Sequence, residues 1–159
     1  MLNVKLITIG TLKESYLREA AEEYKKRLGA YCKLAEVNLP EVKLSDKPSQ
    51  KEIDAALEAE GKQILAAMSP RAYKIALCVE GKQLSSEQLA QKIEQIGQTH
   101  GEIALVIGSS FGLSPSVKSA CDLRLSVSAL TFPHQLMRVI LLEATYRAFT
   151  IIKGTPYHK

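Results

Sequence analysis

Short apolar segments rich in β-branched residues alternate with longer segments of helical periodicity, and this alternation limits the possible fold more than any other feature. Five segments are predicted to be strands: LNVKLITIG (2–10), YCKLAEVNL (31–39), YKIALCVEG (73–81), EIALVIG (102–108) and LRLSVSAL (123–130). The fourth is apolar almost throughout, which is typical of a strand buried at the centre of a parallel sheet. The alternation predicts an α/β fold in which a parallel sheet is flanked by helices, here as one domain over residues 1–159.

The predicted helices have recognisable ends. A hydroxyl residue followed three positions later by Glu or Gln forms a capping box, and this pattern occurs at Thr11/Glu14, Ser49/Glu52 and Ser85/Gln88. Ser114 and Pro115 predict an N-cap followed by a first helical residue, and Pro133 opens a last helix that runs to about Lys153.

Ligands of parallel α/β sheets bind beyond the carboxyl ends of the strands, so the segments after the third, fourth and fifth strands are the candidate site. These segments are VEGK, IGSSFG and SVSALTFPH. The chain has no G-x-G-x-x-G after its first strand, no G-x-x-x-x-G-K-[ST] and no G-x-S-x-G. The common dinucleotide-binding, P-loop and serine-hydrolase functions are therefore disfavoured.

Two of these segments admit both a binding and a packing role. Gly108 and Gly112 in IGSSFG let the backbone approach a ligand, or they form a tight turn needed only for packing. The run from Val127 to Phe132 is suited to hold an adenine-like ring by its backbone, with apolar contact from Leu130 and Phe132. The alternative is an ordinary connection between a strand and a helix.

The last helix is apolar on nearly every side, apart from two polar edges. One sheet covers one side of a helix, so we predict a twofold homodimer packed through this element; a central helix in a monomer is the alternative. One edge carries His134, Gln135 and Arg138. The other carries Glu143 and Arg147, whose spacing predicts an ion pair.

His134 and the C-terminal tail are the candidate chemical groups. A histidine in the first turn of a helix can transfer a proton near neutral pH beside N–H groups that favour anions; it can also be a half-buried residue at a helix start. The tail, with Tyr157, His158 and Lys159, either frays or stacks on a nucleobase and contacts phosphate.

Charge and cysteine content set the broader limits. The net charge of +4, from 21 basic and 17 acidic residues, permits a nucleic-acid partner without requiring one. Three cysteines without a C-x-x-C pair predict a reduced, cytoplasmic protein. The three histidines lack zinc-ligand spacing, so no metal is expected, and no signal peptide or membrane span is predicted.

Several motifs together resemble the ribosomal RNA large subunit methyltransferase H family, which belongs to the SPOUT class. They are TFPHQLMRV, YRAF, PYHK, VIGSSFGL, KLITIGTLKESY and LCVEGKQLSSEQLA, and they cover the chain in order. The resemblance implies an α/β trefoil knot in which the C-terminal segment threads a loop. It also implies a homodimer that uses S-adenosyl-L-methionine to methylate N3 of a pseudouridine in 23S rRNA of the assembled ribosome.

The resemblance further implies a set of site residues. The implied cofactor-binding residues are Leu77, Gly108, Val127, Ser128, Ala129, Leu130, Thr131 and Phe132. Ser109 departs from the family pattern, which has a second glycine there. His134 is the candidate base and Arg138 would support negative charge or grip phosphate. Tyr157 and His158 would hold the target base, in the same chain or across the dimer.

Two other functions remain open at this level. One is a non-catalytic ribosome- or RNA-binding protein with the same fold. The other is a knotted methyltransferase that acts on tRNA ribose, where a 2′-hydroxyl rather than an imide must be activated.

Overall fold

The computed structural model describes all residues from Met1 to Lys159 and contains five strands that alternate with five helices. In chain order they are β1 (Asn3–Ile9), α1 (Ser15–Leu28), β2 (Lys33–Leu39), α2 (Gln50–Ala67), β3 (Tyr73–Gln83), α3 (Ser86–Thr99), β4 (Glu102–Ile107), α4 (Pro115–Ala120), β5 (Leu123–Ser126) and α5 (His134–Lys153).

The five strands form one sheet in the order β2-β1-β4-β3-β5, and every pairing is parallel. Strand β4 lies at the centre and is buried from Ile103 to Ile107, as its apolar sequence predicts. The predicted α/β fold with a parallel sheet flanked by helices is therefore confirmed. The threading of the C-terminal segment through a loop stays a prediction from the family resemblance.

The sheet carries a hydrophobic core on each face. Side chains of α1, α3 and α5 pack on one face, and side chains of α2 and α4 pack on the other. Successive strand residues point to opposite faces, so Leu6 joins the first core and its neighbour Ile7 joins the second. Because both faces are covered, the strands can be apolar along most of their length.

Two of the three predicted capping boxes form and one does not. The Ser49/Glu52 and Ser85/Gln88 pairs each make both reciprocal hydrogen bonds. The Thr11/Glu14 prediction is wrong, because α1 begins after Glu14 without a side-chain cap. Arg18 Nη1 instead donates to two carbonyl oxygens of the β1–α1 loop, those of Leu12 at 3.1 Å and Lys13 at 2.6 Å.

Strand β5 is shorter than its sequence predicts. It ends at Ser126, and residues 127–133 are irregular instead of continuing the strand to 130. Ser126 Oγ donates to the Ser128 carbonyl at 3.0 Å, and Ser128 Oγ accepts from the Leu130 N–H at 3.0 Å. These local bonds between side chain and backbone replace strand pairing and turn the chain away from the sheet.

None of the helices is long and apolar enough to cross a membrane. No group of three or more His, Cys, Asp or Glu residues is arranged to hold a metal ion.

Candidate functional site

Residues 77–80 in the second half of β3 and the segments that follow β4 and β5 meet in one cleft of about 800 Å³ at the carboxyl edge of the sheet. Its volume lies within the range of small-molecule sites, roughly 300–1,000 Å³. Seven of the eight expected cofactor-binding residues line it: Leu77, Gly108, Val127, Ser128, Leu130, Thr131 and Phe132. Ala129 is outside the lining. Sequence reasoning included Glu80 in the VEGK segment without singling it out and missed Lys118 of α4; the two side chains form an ion pair of 2.6 Å.

The loop after β4 folds back tightly on itself. A Cβ at Gly108 would overlap the carbonyl group of Gly112, and Gly112 itself has a φ of +94°. The Gly112 N–H donates to the Ser109 carbonyl at 2.9 Å and closes the turn. The packing role considered for these two glycines therefore holds, and the same turn also contributes to the cleft.

Ser109 fits this turn without strain because no residue other than glycine has a positive φ. Its Oγ accepts from the Phe111 N–H at 3.4 Å, and its hydroxyl faces the buried carboxylate of Glu60 on α2. Burial raises the pKa of Glu60, which also accepts from the Val42 N–H at 3.0 Å. No pattern in the sequence marks Glu60 as part of the support of the cleft.

His134 is the first residue of α5 and lines the cleft half-buried. Burial is the largest cause that lowers its pKa, and the nearby positive charges of Arg138 and Lys13 lower it further. The Glu41 carboxylate acts in the opposite direction. The imidazole is therefore mainly neutral near pH 7 and able to accept a proton.

Arg138 lies one helical turn after His134 but does not line the cleft. Its side chain is 2% exposed, and Nη2 donates to the carbonyl oxygens of Gly10 at 3.1 Å and Ile9 at 3.4 Å. Nη1 donates to Asn38 Oδ1 at 3.4 Å. The predicted shared edge of the helix is present, but this guanidinium points into the protein rather than toward a ligand.

The C-terminal tail is attached to the side of α5. Tyr157 Oη donates to Glu143 Oε1 at 3.1 Å, and the same oxygen accepts from Arg147 Nη2 at 2.7 Å, so the predicted Glu143–Arg147 ion pair is confirmed. His158 Nε2 lies 2.6 Å from Glu87 Oε1 on α3, and its Nδ1 lies 3.1 Å from Arg147 Nη1. The tail is thus ordered between α3 and α5.

The tail and the cleft are well separated within one chain. Glu143, the residue that holds Tyr157, follows His134 by nine residues on α5. At roughly 1.5 Å per residue the two positions are about 13 Å apart along the helix. The structure therefore brings His134 to the cleft, whereas Tyr157 and His158 of the tail form a second cluster beside a later part of α5.

Two solved structures that share this fold are described as methyltransferases, one of them as a probable one. A probable methyltransferase from Bordetella pertussis aligns with a TM-score of 0.60 at 16% identity over 93% of this chain and 95% of its own. The tRNA (m1G37) methyltransferase from Aquifex aeolicus aligns with a TM-score of 0.56 at 12% identity over 91% of this chain and 69% of its own. At such identities the likeness concerns the fold.

Sequence comparison gives the family. The family model described as "Predicted SPOUT methyltransferase" matches residues 2–158, and the chain belongs to this family. Proteins named ribosomal RNA large subunit methyltransferase H are similar over 99% of this chain and 100% of their own. The protein from Streptococcus thermophilus is 48% identical, that from Clostridium beijerinckii 49% and that from Shouchella clausii 45%. The resemblance found in the motifs is thereby confirmed.

Replacing Glu143 by Gln should release the tail. The change weakens three hydrogen bonds to one carboxylate oxygen, two from Arg147 and one from Tyr157, while the helix keeps its other packing. We expect faster amide hydrogen exchange at residues 155–159, with little change in the centre of α5. Glu23→Gln is the matched control, because Glu23 pairs with Arg27 at the same spacing on α1. Equal exchange in both variants would contradict the proposed attachment.

Proposed function

We propose that the protein is an S-adenosylmethionine-dependent methyltransferase that methylates N3 of a pseudouridine in 23S rRNA of the assembled ribosome, in the cytoplasm. One observation carries the substrate assignment: the chain is 45–49% identical over its whole length to proteins named ribosomal RNA large subunit methyltransferase H. The cleft beyond the strand ends supports a small-molecule cofactor independently of those names.

The groups that line the cleft fit S-adenosylmethionine. Leu77, Leu130 and Phe132 offer apolar surface for an adenine ring, and the backbone of residues 127–132 offers hydrogen-bonding groups to its edge. The Lys118–Glu80 pair provides one charge of each sign, which suits the carboxylate and ammonium groups of the methionine part. When bound, the cofactor supplies an electrophilic methyl group on a sulfonium.

Methylation at N3 requires removal of the imide proton, and His134 is the group that we assign to this step. It borders the cleft, and its lowered pKa leaves a ring nitrogen free to accept the N3 proton at neutral pH. The first-turn N–H groups of α5 favour the negative charge that develops on the imide. The cleft holds the two reactants in line, which lowers the entropic part of the barrier.

We further propose that two copies pack through α5 in a twofold homodimer. Apolar side chains remain uncovered along the start of this helix and beside it, including Leu136 at 36% exposure, Leu130 at 71% and Tyr16 of α1 at 65%. Antiparallel packing of two α5 helices about a twofold axis would bring the tail of one copy to the cleft of the other. Tyr157 and His158 of the partner copy would then hold the target base beside His134.

The decisive experiment is mass spectrometry of rRNA from cells that lack this gene. Loss of one methylated pseudouridine from 23S rRNA is expected, and its return with a plasmid copy is the control. An unchanged methylation pattern would sink the substrate assignment. Modification of purified tRNA instead of ribosomes would favour ribose methylation, and no calorimetric binding of S-adenosylmethionine would favour a non-catalytic RNA-binding protein.

His134→Ala should lose methyl transfer and keep cofactor binding. General-base catalysis contributes roughly 10²- to 10⁴-fold to a rate, so a loss of this size in kcat is expected. Transfer of labelled methyl to ribosomes and calorimetry with S-adenosylmethionine measure the two properties. His100→Ala is the matched control, because His100 contacts Thr99 and Tyr73 at the far end of α3. Full turnover by a folded His134→Ala protein removes His134 from the mechanism.

Mixed dimers test the contribution of the partner's tail. His134→Ala and Tyr157→Ala chains are each expected to be nearly inactive alone. If sites are shared between copies, random mixing restores roughly a quarter of wild-type activity, since half of the dimers carry one complete site. If each chain uses its own tail, mixing restores nothing, because no complete site can form. Unfolding, dilution and refolding of the mixed chains ensures exchange.

A further inference from the structure

We propose that Arg138 is a positioning residue: through the backbone of the β1–α1 turn it fixes the start of α5, and with it His134, at the edge of the cleft. This inference rests on the proposed function of His134. It differs from the role that the sequence suggests for Arg138, which is direct contact with negative charge on the RNA.

The contacts of Arg138 are made with the end of β1. Its Nη2 donates to the carbonyl oxygens of Ile9 and Gly10, directly before the β1–α1 loop. Gly10 has a φ of +78°, a conformation that lets the chain leave the sheet sharply at this point. The guanidinium therefore joins the first turns of α5 to the position where β1 ends.

Polar groups of β1 and β2 hold the guanidinium in this orientation. Asn38 Oδ1 accepts from Arg138 Nη1 at 3.4 Å and from Thr8 Oγ1 at 2.5 Å. Asn38 Nδ2 donates to Glu36 Oε1 at 2.9 Å, and Glu36 is paired with Lys25 at 2.7 Å. The Glu36 carboxylate thereby lies near the guanidinium, and its negative charge partly offsets the effect of burial, which lowers the pKa of Arg138.

A second hydrogen bond ties the same helix start to the same loop. The backbone N–H of Lys13 donates to Gln135 Oε1 at 3.1 Å. Gln135 and Arg138 follow His134 by one and four residues, so the beginning and the end of the loop are both attached to the helix start that carries the imidazole. The start of α5, and with it the backbone of His134, is therefore tied to the β1–α1 loop at two points.

The burial of Arg138 argues against direct contact with RNA. Its side chain is 2% exposed, it lines no part of the cleft, and its Nε has no hydrogen-bond partner. A buried charge with an unpaired donor contributes less stability than a well-packed apolar side chain of the same size. An arginine at position 138 is explained if its charge and its guanidinium donors act on the start of α5 and on His134.

The same geometry gives Arg138 an electrostatic effect on the imidazole. The charged groups around His134 are Arg138 on α5, Lys13 in the β1–α1 loop and Glu41 after β2. Arg138 and Lys13 lower the pKa of His134 and Glu41 raises it, in addition to the larger effect of burial. Removal of the Arg138 charge should therefore raise the pKa of His134 and reduce its neutral fraction at a given pH.

Two substitutions separate position from charge. Arg138→Gln removes the charge, and we expect a higher pKa of His134 by NMR titration of its ring protons and an acidic limb of kcat displaced to higher pH. Arg138→Lys keeps the positive charge but loses the planar set of guanidinium donors, so the acidic limb of the pH profile of kcat should stay in place. In both variants kcat should fall about 10- to 100-fold, which is the effect expected when the His134 imidazole is displaced by about 1 Å. The KM for ribosomes should stay unchanged.

Arg18→Gln is the matched control. Arg18 also donates to carbonyl oxygens of the β1–α1 loop, but it is exposed and does not contribute to the charge around His134. It should change neither the pKa of His134 nor kcat. If Arg138→Gln does not fold, Arg138→Lys still tests the proposal through kcat and KM.

Two results would overturn the inference. One is a rise in KM for ribosomes with a weaker salt dependence, since loss of one phosphate contact reduces the salt slope by about 1. The other is an unchanged pKa of His134 together with an unchanged kcat in folded variants. The NMR titration needs no substrate, so it remains informative if the wild-type protein shows no activity on ribosomes, a result that would instead refute the proposed function.

Discussion

Helix α5 is packed into the protein along most of its length, and both groups of candidate functional residues depend on where this packing places them. Its buried side chains, including Leu141, Leu142 and Phe149, join the core between α1 and α3. Because the core fixes the helix axis, His134 at its start stays at the cleft and Glu143 stays about two and a half turns away. Neither group can move toward the other without repacking that core.

The fixed position of α5 limits the ways in which His134 and the C-terminal tail can contribute to one site. A tail that reached its own cleft would have to leave Glu143, Arg147 and Glu87, losing several charge-assisted hydrogen bonds. The proposed homodimer would avoid that loss, since each tail would stay attached to its own α5 while the two helices packed together. Dimerisation through this helix would thus join two preformed surfaces, at little conformational cost to either copy.

Much of the fold could be predicted because its signals are local. The apolar strands, the Ser49 and Ser85 capping boxes and the three segments of the cleft follow from periodicity and turn chemistry. The strand order could not be predicted, because it depends on pairings between distant segments. The helical wheel correctly placed Arg138 on the same edge of α5 as His134. The burial of Arg138 could not be predicted, because it depends on Ile9, Gly10 and Asn38, which lie about a hundred or more positions earlier in the chain.

Ser109 stands where the family pattern has a second glycine, and the structure shows that the glycines of this loop meet different physical requirements. Gly108 must lack a side chain because its own loop occupies that space, and Gly112 must adopt a positive φ. Position 109 has neither requirement, since its backbone conformation is open to any residue and its hydroxyl accepts from the Phe111 N–H. A serine there faces the Glu60 carboxylate of α2 and leaves the turn intact, so the shape of the cleft does not depend on a second glycine.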